Sequence, residues 1–154
     1  MIRKATKDDI PTLYNLLGQI LKLHHEMRPD LFKEVGSKYT KEELASKMDS
    51  GELLIYVKVL DSKVVAYLMC QIIENPEDIR SYHYKTLYVD DLCVDVSYQN
   101  QGIGKELLAY AKELAKKNNC YNLTLHVNAL NQNAISFYEA CGLQKSSYTM
   151  EEIL

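Results

Sequence analysis

Apolar residues recur along this chain with two different periods, and the switches between them mark out its elements. Residues 2–5 read as a short first strand, and Ile10, Leu13, Leu17, Ile20 and Leu21 then fall at the spacing of one helical face. Pro11 fits only in the first turn of that helix, which favours Asp8 over Thr6 as its cap. The pattern breaks at Pro29. Thr40 and Glu43 have the spacing of a capping box, predicting a second, short helix from Thr40 to about Asp49. Two β-rich runs, 52–60 and 64–73, joined through Asp61-Ser62-Lys63, predict an antiparallel hairpin that ends at Asn75-Pro76-Glu77-Asp78. A strand over 86–96 leads through a glycine-containing loop into a helix over 102–117, with Ile103, Leu107, Ala111, Leu114 and Ala115 on one face and Lys and Glu on the other. Asn118-Asn119 end it in a left-handed turn. Leu123, Leu125 and Val127 alternate with Thr124, His126 and Asn128, as in a half-buried strand. A helix over 131–141 stops at Gly142, and a last β stretch covers 144–153. The expected product is a single α/β domain over 1–154, with a mixed sheet and flanking helices.

Composition narrows the setting. With 154 residues and an ordinary apolar fraction, one core and one domain are expected. The N-terminus lacks the apolar centre of a signal peptide and no stretch approaches a membrane span, so a cytoplasmic location and no membrane partner are expected. Cys70, Cys93, Cys120 and Cys141 form no C-x-x-C pair; four free thiols are the reading, with neither a disulfide framework nor zinc. Vicinal His24-His25 do not share a helical face, so no metal is expected there either. A formal net charge of −3 argues against a nucleic-acid partner and suits a cationic acceptor.

The chemistry is concentrated in Gln99-Asn100-Gln101-Gly102-Ile103-Gly104, between a strand and a helix. Two glycines let the backbone turn tightly and approach an anion, while the helix start aims free N–H groups and its positive dipole end at the same point. A pyrophosphate is implied. A P-loop would need Gly at position 99 and Ser or Thr at 106, where Gln99 and Glu106 stand. A dinucleotide fingerprint would need Gly or Ala at Leu107.

The segment instead resembles the Q/R-x-x-G-x-G/A signature of the GNAT superfamily of acyl-CoA-dependent N-acetyltransferases. Downstream, Asn131-Gln132-Asn133-Ala134-Ile135-Ser136-Phe137-Tyr138-Glu139-Ala140-Cys141-Gly142-Leu143 resembles the family's N-x-x-A-x-x-x-Y-x-x-x-G-[FL] helix at the family's spacing. The resemblance implies a mixed, mostly antiparallel sheet of six to seven strands flanked by about four helices, with acetyl-CoA as cosubstrate. It implies that Gln99 to Lys105 hold the pyrophosphate, that the strand Leu92-Cys93-Val94 pairs with the pantetheine arm, and that Asn131, Ala134 and Tyr138 also line the carrier site. Asn131 reads equally as a plain helix N-cap. Tyr138 would protonate or hydrogen-bond the leaving thiolate, its ordinary pKa near 10 keeping it protonated.

The base is open between three readings: His126, twelve residues before Tyr138, where ribosomal-protein N-terminal acetyltransferases carry Glu; Asp91; or proton loss to ordered water. Asp90-Asp91 resembles the acidic pair of the polyamine acetyltransferases. Adjacent strand residues point to opposite faces, so only one of the two is expected in the acceptor cleft. The family's layout puts His24–Phe32, with Glu26, and Tyr82-His83-Tyr84 on the acceptor side. The resulting expectation is direct acetyl transfer, in a ternary complex, to a small amine or a peptide N-terminus; a non-catalytic acyl-CoA sensor is the rival. A homodimer is one state compatible with the sequence.

Overall fold

The computed structural model describes residues 1–75 and 78–154. Five strands form one sheet in the order β1 (Ile2–Lys4), β2 (Leu54–Leu60), β3 (Lys63–Asn75), β4 (Tyr84–Val94), β5 (Asn122–Thr124). The first four pair antiparallel and β5 runs parallel to β4. Four helices flank it: α1 (Ile10–Met27), α2 (Lys41–Ser50), α3 (Ile103–Lys117) and α4 (Gln132–Ala140). Among the described residues the sheet has five strands, not six or seven. The predicted last strand, 144–153, carries no strand pairing, and the predicted strand through Val127 is paired only as far as Thr124. Residues 76 and 77, part of the predicted hairpin end, lie outside the described residues.

Local chemistry explains the boundaries. The first helical turn opens at Thr6, not Asp8: Thr6 N–H donates to Asp9 Oδ2 at 2.8 Å, and Arg3 grips the same carboxylate through two hydrogen bonds of 2.7 and 2.9 Å. Pro11 sits in the first turn of α1 where its missing N–H has no partner to lose, and α1 ends at Arg28, ahead of Pro29. Thr40 and Glu43 make the reciprocal capping box at 3.0 and 2.9 Å, and Gly51, at φ 73°, closes α2. The β2–β3 hairpin turns through Asp61 and Ser62, both with positive φ, as a two-residue turn between right-twisted strands requires.

Two apolar layers sandwich the sheet. On one face, Leu13, Leu16 and Leu17 of α1 and Leu44 of α2 pack on Ile55, Val57, Tyr67, Met69 and Cys93. On the other, Ile103, Leu107, Ala111 and Ala115 of α3 pack on Ala66, Leu68, Cys70, Leu87 and Val89. On β4 the parity changes along the strand: Leu87 and Val89 face α3, whereas Cys93 faces α1. The register supplies the cause, because Met69 pairs with Asp91 and Cys70 with Val89, so Asp90 is an extra residue, a β-bulge.

Loss of the Thr40 cap should leave one helical N–H unsatisfied. Thr40→Ala is expected to lower stability by about 1 kcal/mol, read as a reduced urea midpoint at unchanged m-value.

Candidate active site

Beyond the bulge β4 has a free edge. It pairs with β3 along its whole length, from Tyr84 to Val94, but with β5 only at Thr86, Leu87 and Tyr88. From Val89 to Val94 the second edge pairs with no strand, and the chain runs on from it into the glycine loop. An unpaired strand edge is a template for any extended chain that carries amide groups.

Asn100 and Gly102 both have positive φ, 61° and 80°, turning the loop so that α3 starts at Gly102. Gly102 offers no side-chain cap, so the first amides of α3 are left for an incoming anion. Gly104 meets a different need: a Cβ there would stand 3.2 Å from Phe137 Cζ and 3.8 Å from Val94 Cγ2, so α4 seats directly on this glycine. Glu106, the acidic residue of the first turn, is drawn into a pair of hydrogen bonds from Lys58 Nζ at 2.6 and 2.7 Å. Gln99 Nε2 donates to the Val94 carbonyl at 3.2 Å and ties the loop to the strand. Asn131 is the N-cap of α4, its Oδ1 accepting from Ala134 N–H at 3.1 Å.

The bulge puts both carboxylates on the α1 and α2 side, correcting the expectation that adjacent Asp90 and Asp91 must diverge. Asp90 accepts from Tyr39 Oη at 2.7 Å and lies 3.1 Å from Lys38 Nζ; its side chain is buried. Asp91 accepts from Tyr67 Oη and from Leu92 N–H, each at 3.0 Å. Burial pushes the Asp91 carboxyl above the ordinary carboxylate range, against the opposing pull of Lys38 and of these hydrogen bonds. Tyr138 lies within reach of the Asp91 field: burial first, and then that charge, push its phenol up to about 12. The buried Cys93 thiol is likewise pushed up to about 12 by burial, an inert core thiol on the α1 face.

The other candidates lie elsewhere. His126 is exposed beyond the end of β5, its ring edge-on to Tyr88 at 5.6 Å. Tyr84 stands at the far end of β4 against the Tyr121 ring, about 20 Å from Asp90 at 3.3 Å per strand residue. Glu26 is exposed in the last turn of α1. Tyr67, Tyr39 and Lys38, which dress the acidic pair, carried no sequence signal: Tyr67 reads as one more core residue of a β-rich run, and the other two as a loop. Among the described residues no group of three His, Cys, Asp or Glu could hold a metal, and no helix is long and apolar enough to cross a membrane.

This arrangement of loop, open edge and tyrosine-bearing helix has known counterparts. Residues 19–143 match the acetyltransferase (GNAT) family. The chain belongs to that family. The BH1408 protein of Bacillus halodurans, in the crystal structure of a point mutant, is 26% identical and superimposes with a TM-score of 0.95 over 100% of this chain and 99% of its own. A possible acetyltransferase from Clostridium difficile 630 is 25% identical at a TM-score of 0.78, over 100% and 96% of the two chains. A bovine (Bos taurus) thialysine N-epsilon-acetyltransferase is 33% identical over 60 residues, 39% of this chain; the match spans only 35% of that protein's length. The matched span contains both the glycine loop, Gln99 to Gly104, and α4 with its flanks, Asn131 to Leu143.

Glutamate at Gly102 would add both left-handed backbone strain and a like charge where an anion should sit. Gly102→Glu is expected to weaken CoA binding at least tenfold in titration calorimetry, with an unchanged far-UV circular dichroism spectrum.

Proposed function

We propose that the protein transfers the acetyl group of acetyl-CoA to a cationic small amine, by direct attack within a ternary complex. The observation that carries the reading is the open edge of β4 running from two carboxylates to free helix-start amides, with Tyr138 alongside. The fit to the carrier rests on the chain's own groups. The amides of Gly102 to Lys105 suit a pyrophosphate, and the free edge around Leu92 and Val94 suits an amide-bearing arm laid down as an extra strand.

Acetyl transfer requires that the acceptor lose a proton and that the thiolate be stabilised as it leaves. Asp91 is the better base of the two candidate side chains, since it stands on the open-edged part of β4 and its proton affinity is raised, whereas His126 is exposed beyond β5. The amine nitrogen forms its bond to the acetyl carbon, the carbon–sulfur bond breaks, and the ammonium proton passes to Asp91, directly or through one water. A phenol held at about 12 does not surrender its proton outright to a thiolate whose conjugate acid lies near 8.5. Tyr138 therefore works by donating a hydrogen bond to the sulfur. Asp90 and Asp91 together set two carboxylates against the single cation Lys38, a local balance that favours an ammonium-bearing acceptor, and the likeness to a thialysine acetyltransferase supports the same class.

Asp91 must be ionised to accept a proton, so activity is present above its pKa and falls as pH drops through it. kcat should therefore show an acid limb whose midpoint lies above the usual carboxylate range, near pH 4. Asp91→Asn should lower kcat on the order of 100-fold and abolish that limb. Tyr138→Phe should lower kcat by 10-fold or more with the KM for acetyl-CoA nearly unchanged. The assay is thiol release from acetyl-CoA over polyamines, lysine analogues, an aminoglycoside and short peptides. Tight acetyl-CoA binding with no turnover of any amine would replace this reading with that of a sensor.

A further inference from the structure

The ammonium of Lys38 is held by Asp90 twice over: it stands 3.1 Å from Oδ2 and donates at 3.1 Å to the Asp90 carbonyl oxygen. It also lies over the Tyr39 ring, 5.6 Å from the centroid. A carboxylate, a carbonyl and an aromatic face offer only acceptors and negative potential, the set of groups that binds a primary ammonium from any source. Among the described residues, the only other donor to the Asp90 carboxylate is Tyr39 Oη.

The seat is built more firmly than its occupant is held. Lys7, Lys47 and Lys58 stand 2.6 to 2.8 Å from their carboxylates, whereas Lys38 stands at 3.1 Å. The Asp90 side chain is 8% exposed and that of Lys38 45%. Asp90 therefore depends on a cation, because a buried charge left unpaired is costly, while Lys38 can return its ammonium to water by turning its own stem. The backbone does not oppose that motion: residues 31–36 are exposed, and residues 33–39 make no backbone–backbone hydrogen bond among the described residues. The segment is tied on either side, where His25 Nδ1 donates to the Phe32 carbonyl at 2.8 Å and where Thr40 caps α2. Lys38 thus stays close to Asp90 whether or not its ammonium is seated.

We infer that Lys38 is a tethered competitor of the acceptor: its ammonium fills the place at Asp90 that the acceptor's ammonium takes, and the acceptor binds by displacing it. The inference rests on the reading of this acidic pair as the acceptor site. Exchange trades one cation for another, so an acceptor must arrive charged; an uncharged amine gives Asp90 nothing in return for Lys38. A group on a short tether competes at an effective concentration on the order of millimolar. Free monovalent cations are thereby held off, and an acceptor with further contacts is favoured. Exchange also couples entry to the base. The Lys38 charge opposes the rise in proton affinity that burial gives Asp91, and it withdraws as the ammonium whose proton Asp91 takes arrives.

The test compares the native chain with Lys38→Met, which keeps the apolar stem, and Lys38→Arg, which keeps the charge. With spermidine and lysine as acceptors, Lys38→Met should lower the acceptor KM by about threefold or more at an unchanged KM for acetyl-CoA, and Lys38→Arg should not lower it. A cation that only positioned Asp90 would do the reverse, raising the acceptor KM when removed. Two further readouts need no turnover. In titration calorimetry the same amines should bind the CoA-loaded Lys38→Met chain about threefold or more tighter than the CoA-loaded native chain. In the native chain carrying isotope-labelled lysine, the Lys38 Cε resonance, assigned by its loss in Lys38→Met, should move toward that of a solvated lysine as the amine saturates the CoA complex. Tighter binding and a moving resonance without turnover would remove the acetyl-transfer reading and leave the exchange standing. Acceptor affinity unchanged or weakened in Lys38→Met, a Lys38 resonance unmoved at saturation, or no binding of either amine to either chain would each overturn the exchange.

Discussion

The extra residue in β4 is the constraint on which the site depends. β3 and β4 are the longest pair in the sheet, and both their faces are buried, so their side-chain parity cannot drift without exposing a core. Inserting Asp90 opposite the Met69–Cys70 step changes the parity once. Leu87 and Val89 remain on the α3 layer while Cys93 is delivered to the α1 layer. A bulge also adds local twist. Here β4 parts from β5 just beyond Tyr88, at the same place along the strand. One inserted residue thus coincides with a strand edge with nothing paired to it and with two carboxylates brought to the same side.

The two carboxylates are then treated differently by their surroundings. Asp90 receives a cation and a phenol, Lys38 and Tyr39, both from the connection between α1 and α2. Asp91 receives a phenol from the fully buried Tyr67 and a backbone amide, with no cation in contact. Two neutral donors offset only part of the cost of desolvating a charge. The Asp91 carboxyl therefore takes up protons more readily than a solvated one, and adjacent groups whose environments are driven apart can take separate roles. The segment that carries Lys38 and Tyr39 runs directly into the Thr40 cap, so the α2 start fixes where these partners stand.

Elements whose signals are local were legible in the sequence. The Thr40–Glu43 box, the Asp61-Ser62 turn, the left-handed Asn119 and the Gly142 stop all stand where their residue types place them. Local signals misled where the deciding partner lay elsewhere. Asp8 was favoured as the α1 cap because nothing nearby shows that Arg3 and Thr6 will claim Asp9. Opposite orientations for Asp90 and Asp91 follow from ideal pleating, and only the register against β3 reveals the bulge. The alternating pattern at 123–128 and the β stretch at 144–153 both read as strands of one sheet. Periodicity records that a segment is suited to pair, not with what, and within this chain those segments are unpaired.

The glycine loop does more than bind an anion, because Gly104 is also the floor on which α4 rests. Phe137 packs against it and Lys112 Nζ of α3 donates to the Cys141 carbonyl one turn further on, so the C-terminal half of α4 is fixed to α3 at two points. Tyr138 is the residue next to Phe137, its ring edge-on to Phe137 at 5.2 Å. The placement of this phenol relative to the loop is therefore set by contacts between α3 and α4, not by the short β5 that precedes them. A side chain at position 104 would push on Phe137 and displace Tyr138 with it, even if the backbone amides of α3 stayed where they are. The two glycines of the loop accordingly answer separate needs. Gly102 shapes the turn that exposes the amides, and Gly104 lets the tyrosine-bearing helix come close enough for the anion grip and the phenol to serve one ligand.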